Sequence, residues 1–356
     1  MVMMIEKMKK KTFQRNLITY LMVIIAFAIM ETLRMTGNLS SLMSGMLVSF
    51  CVYSILAVSL NLVVGISGEL SLGHAGFMCI GGFAGAFFTK CFETTITVVP
   101  LRLAAAVVIG AAVAGLFGFL IGIPVLRLRG DYLAIVTLAF GEIIKNVLNV
   151  FYVGLDSKGL HMCTTSEFDL NMELDGKVII AGPQGISGIP KSASFLAGVI
   201  ILLITLFIIL NLINSRSGRA IMAIRDNRIA AESIGINITK YKLMAFTISA
   251  ALAGAGGALY ANNLSTLQSS KFNFNTSILV LVFVVLGGIG NIRGSIIAAV
   301  ILTALPEMLR FLSDYRMLIY AIVLIVMMLF NWAPKALEWR EQYLGALFRK
   351  NAKGVK

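Results

Sequence analysis

The sequence predicts an all-α fold, a polytopic transmembrane helical bundle of about eight to ten spans with glycine-broken segments. The first observation behind this is composition. Of the 356 residues, 58% are hydrophobic and 13% charged, and the mean hydropathy is +0.90. That is more apolar surface than a soluble domain of this length can hide. The second is run length: the apolar segments are about twenty residues each, enough to cross a hydrocarbon core as helices, and they lack the strict alternation of outer-membrane strands. The third is that charge collects between those runs. The formal net charge of +13 therefore does not form an aromatic-basic groove for nucleic acid.

Taken in order, the basic segment Met1 to Asn16 runs straight into apolar sequence from Leu17, with no small-residue cleavage site followed by a soluble domain. It reads as the cytoplasmic lead-in to a first transmembrane helix rather than a cleaved signal. Helices are expected near 17–35, 42–65, 75–92, 100–126, 131–151, 195–213, 241–262, 277–289, 295–312 and 317–333, which sets a transmembrane domain at 17–333. A basic tail, 334–356, follows. With the N-terminus in the cytoplasm, Arg34, Lys90, Arg102, Lys145, Lys158, Lys177, Lys191, Lys271, Arg310 and Arg316 fall at outer sides or span ends. All other Lys and Arg residues lie inside, so the bias favours both termini in the cytoplasm.

Two glycine-rich interruptions stand out. The first, Gly65-Ile66-Ser67-Gly68-Glu69-Leu70-Ser71-Leu72-Gly73-His74-Ala75-Gly76, reads either as a cytoplasmic turn or as broken backbone beside a substrate site, where Glu69 and His74 line a cavity. The second, Leu286-Gly287-Gly288-Ile289-Gly290-Asn291-Ile292-Arg293-Gly294-Ser295, occupies the corresponding place in the latter half, as an internally duplicated fold would have it. Small residues from Gly110 to Gly122 and from Gly254 to Ala258 allow close helix contact. Glu142 and Lys145, three residues apart, share a helix face and read as a neutralised pair or as a polar group lining a pathway. An outer loop, 152–194, reads as a cover for the outer mouth, as a contact for an extracytoplasmic partner, or as an insertion with no role of its own. Of the four cysteines, Cys51 and Cys79 lie in apolar segments, and Cys91 and Cys163 fall on one outer side, where a disulfide is conceivable; no spacing suits a metal.

The polar island 214–242, NSRSGRAIMAIRDNRIAAESIGINITKYK, is amphipathic. Ile221, Ile224, Ile234 and Ile238 fall at helical spacings while Arg225, Asp226, Arg228 and Glu232 point elsewhere. Asp226 or Asn227 can cap a short helix that Gly235 ends, after a longer helix. It reads as a helix that docks onto another protein or as a solvated cytoplasmic loop. No G-x-x-x-x-G-K-S/T loop occurs, so the chain is not expected to hydrolyse nucleotide, and no nucleophile, base and orienter cluster together. It is read as a transporter rather than an enzyme.

Five ordered runs carry a resemblance: LNLVVGISGELSLGHAGFMCIGGFAGA from Leu60, GDYLAIVTLAFGEIIKNVL from Gly130, AGPQGISGIP from Ala181, the island from Ser215, and LGGIGNIRGSIIAA from Leu286. Together they resemble the permease subunits of bacterial branched-chain amino acid ABC importers, and of their two membrane subunits the LivM type. The resemblance spans Leu42 to Pro334. It implies a bacterial cytoplasmic-membrane protein with two cytoplasmic ATP-binding subunits, a second related permease subunit and an extracytoplasmic amino-acid-binding protein as partners. ATP is then used by the partners, and no cofactor is expected on this chain. In that family a cytoplasmic E-A-A-x-x-x-G loop docks into the ATPase. Here Ile229-Ala230-Ala231 and Gly235 align with it, with Ile229 in place of the glutamate. The implied coupling residues are Arg225, Asp226, Asn227, Arg228, Ile229, Ala230, Ala231, Glu232 and Gly235. Asn61, Ser71, His74, Thr137 and Glu142 are the candidates for lining a pathway for a zwitterionic, apolar cargo. Urea, short amides or a sugar are alternative cargoes for the same machine. An ion-coupled secondary transporter is the alternative of another class, and it calls for a buried charged cluster.

Overall fold

The computed structural model describes residues 2–309, save 38–39, 129, 157–158, 167, 171 and 173–175, together with 318–319, 321–322 and 325–326. Most of the helix expected at 317–333, the tail 334–356 and part of the outer loop 152–194, including Glu167, Glu173 and Asp175, lie outside the described residues. The first helix, α1 (Val2–Met35), is continuous through the basic lead-in, which has no proline or glycine to stop it; the chain turns at Gly37, in the left-handed region at φ 71°. Next come α2 (Ser41–Asn61), capped by the Ser40 hydroxyl accepting from the Met43 amide, and a π-helical turn, Leu62–Ile66. Then follow α3 (His74–Cys91), α4 (Val99–Val125) and α5 (Asp131–Asn149). The latter half of the bundle contains α6 (Phe195–Asn214), α7 (Arg216–Asp226), α8 (Arg228–Ser233), α9 (Ile238–Ala261), α10 (Phe274–Gly287) and α11 (Ile292–Met308).

Six of the described segments are long and apolar enough to cross a membrane, including those built on α1, α2, α4, α6 and α9. Of the window in α2, 89% is buried, against 11% in α1, so α2 is the axis and α1 the flank. Helices α3, α4 and α9 pack so closely that backbones touch. A Cβ on Gly110 of α4 would come within 2.7 Å of the Gly81 carbonyl of α3 and 2.9 Å of the Ala258 Cβ of α9. One on Gly254 of α9 would overlap the Ala114 Cβ and come within 2.6 Å of the Gly110 carbonyl. The small-residue runs thus set the helix spacing, as such runs do where lipid offers no hydrophobic drive for helix association.

One end of the bundle, the sheet end, carries structure that hydropathy does not foretell. Strands β1 (Tyr152–Asp156), β2 (Gly159–Cys163) and β3 (Lys177–Ala181) form an antiparallel sheet in the order β2-β1-β3. Short strands β4 (Ile186–Ser187) and β5 (Thr266–Leu267) pair alongside. The strands are too short and too mixed in polarity for periodicity to separate them from loop. Lys90, at the end of α3, donates to the Val178 carbonyl (3.1 Å) and the Ser187 carbonyl (2.9 Å), and Asn262 accepts from Thr89 (2.9 Å) and Ser192 (3.0 Å). A Cβ on Gly185 would overlap the Leu267 carbonyl, which explains a glycine in the AGPQGISGIP run. All four cysteines are free. Cys163 sits on β2, the outermost strand, whereas α3 and its Cys91 meet the sheet through Val178 on β3 and Ser187 on β4, so the disulfide raised as conceivable is not formed. The opposite end, where the polar island lies, is the island end.

Overfilling the tightest contact tests the packing. Gly254→Leu should cost about 3 kcal/mol, the upper range for overpacking a close-packed interior. The readout is a lower apparent unfolding temperature of the full chain in detergent micelles. A change no larger than that of a lipid-facing substitution such as Val108→Leu would refute it.

Candidate coupling site at the island end

The first glycine break is an ordered turn at the island end, where Gly68 and Leu70 are exposed. From Asn61 to Ser67 every residue is buried. The π-turn lets the backbone leave α2 with its amides satisfied, Ser67 donating to the Leu62 carbonyl and Glu69 to that of Val63, both at 3.0 Å. Four other elements grip it. The Asn61 side chain accepts from the Gly290 amide (2.9 Å) and donates to the Ser295 hydroxyl (2.8 Å). Arg225 of α7 donates to the Gly65 carbonyl (2.9 Å), and its aliphatic stem lies where a Cβ on Gly68 would stand, 2.6 Å from Cγ. Lys242, in the second turn of α9, pairs with Glu69, both side chains largely buried. Thr137 of α5 accepts from the Leu72 amide (3.1 Å). Glycine is required at Gly65, because a Cβ there would overlap Gly290, and at Gly290, whose φ is 82°. The two glycine breaks singled out in the sequence therefore touch.

The island folds as two helices. Ser215 caps α7, its hydroxyl accepting from the Gly218 amide (3.1 Å), and Asn227 caps α8, its side chain accepting from the Ala230 amide (3.0 Å). Gly235, at φ 83°, ends the segment as its composition suggests. Ile221, Ile224 and Ile238 are buried, but Ile234 is 74% exposed: it falls after α8 has ended, so the helical phase that would have turned it inward is lost. Ala231 is buried with Ile224 and Ile238 in a small core of its own, so it fixes the fold of the island. Ile229 is 81% exposed. Arg225 pairs with Asp226 and turns in to the break, while on α8 Arg228 is half-buried and Glu232 exposed.

The polar residues expected along a pathway are mostly tied up in helix-to-helix bonds. Asn61, Ser71, His74 and Thr137 are all buried. The His74 Nε2 lies 2.8 Å from the Ser59 hydroxyl, and Thr137 donates to the Ala134 carbonyl (2.9 Å) as well as accepting from Leu72. Glu142 is half-buried toward the sheet end, paired with Lys145 and accepting from the Phe274 amide that opens α10 (3.1 Å). The structure thus gathers Asn61, Ser71, His74 and Thr137 around one break and leaves Glu142 apart. Sequence reasoning missed the Glu69–Lys242 pair, whose partners are far apart in the chain.

The family model described as branched-chain amino acid transport system / permease component matches residues 42–328. The chain belongs to this branched-chain amino acid permease family. The permease is 36% identical over 321 residues to the high-affinity branched-chain amino acid transport system permease protein LivM of Salmonella typhimurium, covering 80% of this chain and 67% of that protein. It is 35% identical over 324 residues to the protein of the same name from Escherichia coli. It is also 27% identical over 327 residues to the ribose import permease protein RbsC of Escherichia coli, covering 89% and 92% of the two chains. No solved structure matches. The permease is thus a LivM-like, multi-pass membrane component of an ABC transporter.

Breaking the ion pair that pins the break to α9 leaves a charge half-desolvated. Lys242→Met and Glu69→Gln should each lower stability by about 2 kcal/mol, and the double substitution by less than their sum, a coupling near 1 kcal/mol. Thermal unfolding of the four proteins gives the cycle. Strict additivity would show that the two groups do not interact.

Proposed function

We propose that this permease forms half of the translocation pathway of a branched-chain amino acid importer in a bacterial cytoplasmic membrane. A second, related permease completes the pathway. Two cytoplasmic ATP-binding subunits supply the energy, and an extracytoplasmic binding protein delivers the cargo. The observation that carries the coupling role is the pair α7–α8. It presents Ile229 and Ile234 outward at the island end while Arg225, on the same unit, holds the Gly65 carbonyl. An exposed isoleucine pair flanked by Arg228 and Glu232 is an apolar centre with a charged rim, the make-up of a protein interface. Ile229, where the family loop has glutamate, makes the contact here apolar.

On this reading ATP-driven closure moves α7–α8, Arg225 carries the movement to the first break, and Asn61 passes it to Gly290 and α11. Asn61, Ser71, His74 and Thr137 then act as the hinge beneath the pathway, and Glu142 is the candidate for its lining. The cargo is favoured as a branched-chain amino acid by the closer similarity to the LivM proteins; the ribose permease likeness supports a sugar as the second reading. An ion-coupled mechanism finds no support in the charged groups at hand. Glu69 and Glu142 are each paired with a lysine, and among the described residues no three His, Cys, Asp or Glu side chains are grouped so as to hold a metal ion.

Reconstitution with ATPase, second permease and binding protein tests the whole proposal: labelled leucine should enter vesicles only with ATP. Uptake by this chain alone on an ion gradient would overturn it. In the same system Ile229→Asp should lower ATPase co-purification about ten-fold, as loss of a central interface residue does. Unchanged co-purification would remove Ile229 from the interface.

The proposed orientation, with the island inside, has its own check at Cys163. The Thr165 amide, 3.4 Å from its sulfur, and further backbone hydrogen bonds hold this thiol below its ordinary range. A membrane-impermeant maleimide applied from outside should therefore modify Cys163 while buried Cys51 and Cys79 stay unreacted. Its rate should level off below the free-cysteine value of about 8.5, since the thiolate is already formed there. Labelling of Cys163 only after permeabilisation would reverse the orientation.

A further inference from the structure

The three-stranded sheet has two unlike faces. On one, Val153 of β1 and Ile180 of β3 are buried in the same apolar core as the helices, so this lower face looks down onto the bundle. Residues directly opposite each other in an antiparallel pair share a face. The register sets Met162 opposite Val153, and Leu160 and Lys177 opposite Leu155 on its two sides, so all of these look down as well. The upper face carries Asp156, His161 and Cys163, with the His161 Nε2 3.0 Å from the Asp156 Oδ2. The chain covers that upper face itself. Leu170, in the 3-10 turn Phe168–Leu170, is buried, and the Met172 sulfur fills the space over Gly154.

Beyond Val153 the lower face is bare. Leu160 is 43% and Met162 62% exposed, with Leu155 and Lys177 exposed beside them, so β2, one strand spacing of about 5 Å out from β1, overhangs the helices. A sheet with water on one side does the reverse: it would bury Leu160 and Met162 and turn His161 and Cys163 outward. Two constraints say what lies under the overhang. The bundle below crosses the hydrocarbon core, so the space beside the ends of its helices is the lipid surface. The outer edge of β2 is unpaired, and the open backbone groups of an edge strand are not accommodated within hydrocarbon. A strand lying in the headgroup layer meets both, its edge hydrated and its lower side chains among the first acyl carbons. Lysine suits the same layer, since its stem runs along apolar surface while its ammonium stays in water and reaches phosphate.

We propose that the β1–β2 hairpin is a foot resting on the bilayer, with Leu155, Leu160 and Met162 inserted at the boundary of headgroups and acyl chains and Lys177 at the phosphates. The direction of the face decides the occupant: it continues the surface that packs on the bundle, and a partner protein seated there would have to enter between sheet and membrane. The apolar contact is with the bilayer surface as a whole, at the depth of about 5–10 Å to which interfacial amphipathic elements bury their apolar side. It is the same whatever the cargo and whichever side of the membrane the sheet faces.

The test puts one tryptophan at a time into the full chain, after Trp332→Phe and Trp339→Phe. Each variant is reconstituted in phosphatidylcholine vesicles with and without lipid brominated near the glycerol end of its chains, a quencher of tryptophan emission. Leu160→Trp and Met162→Trp should lose emission to the brominated lipid, as should Leu101→Trp, exposed near the sheet end of α4. Asp169→Trp, on the turn over the upper face, should keep its emission and emit at longer wavelength. The apparent unfolding temperature verifies that each variant is folded, and if Met162→Trp is not, Leu160→Trp decides. Addition of the second permease, the ATP-binding subunits and the binding protein should leave the quenching in place. Emission untouched by brominated lipid at Leu160→Trp and Met162→Trp, equal quenching at Asp169→Trp, or quenching lost when a partner is added would overturn the proposal, the last by assigning the face to that partner.

Discussion

The arrangement at the island end depends on one buried amide. Asn61 is fully buried, and its carboxamide joins two segments more than two hundred residues apart by accepting from the Gly290 amide and donating to Ser295. A backbone that leaves a helix inside apolar surroundings strands its amides and carbonyls, and each unsatisfied group costs several kcal/mol there. The Gly65 and Gly290 breaks would both carry that cost. They avoid it by lying against each other, with Asn61 and Arg225 filling the donors and acceptors that helix geometry leaves open. Glycine at both positions follows from this contact, since any side chain at Gly65 would occupy the space of the Gly290 backbone.

The extent to which sequence alone revealed this differs by physical cause. Local signals were legible: the Asn227 cap, the Gly235 stop and the apolar phase of Ile221 and Ile224 depend on neighbours within a few residues, and each sits where the pattern puts it. The two glycine breaks were legible as interruptions, but that they touch was not, because contact across such a separation leaves no periodic trace. The Glu69–Lys242 pair was hidden for the same reason. Ile234 shows a subtler failure, in which periodicity was carried one residue past the end of its helix. The sheet of β1, β2 and β3 escaped notice because its strands are short and the apolar signal of the flanking spans swamps them.

The fold also separates two kinds of polar residue that look alike in sequence. Glu142 and Glu69 are both single carboxylates in or beside apolar runs, each paired with a lysine. Glu142 finds Lys145 on its own helix and accepts from the amide that opens α10, toward the sheet end. Glu69 finds Lys242 on another helix, so its pair holds α9 against the first break. Sharing a helix face is a property of spacing; joining two helices is a property of the fold.

The grip on the first break is built from many modest bonds rather than one strong one, and this suits the movement that the proposed coupling requires of it. Each neutral hydrogen bond is worth about 0.5–1.5 kcal/mol net, and those to charged groups about twice that. Thr137, Asn61, Arg225 and Lys242 come from α5, α2, α7 and α9, so the break reports the position of all four helices at once. Loss of the Arg225 bond alone would release α7 while Asn61 and Thr137 still hold the backbone in place. A single apolar plug of the same total strength would offer no such partial release. Close packing of glycine against glycine then supplies what hydrogen bonds lack: it leaves no room for intermediate positions, so displacement of α7 shifts the turn as a unit rather than deforming it gradually.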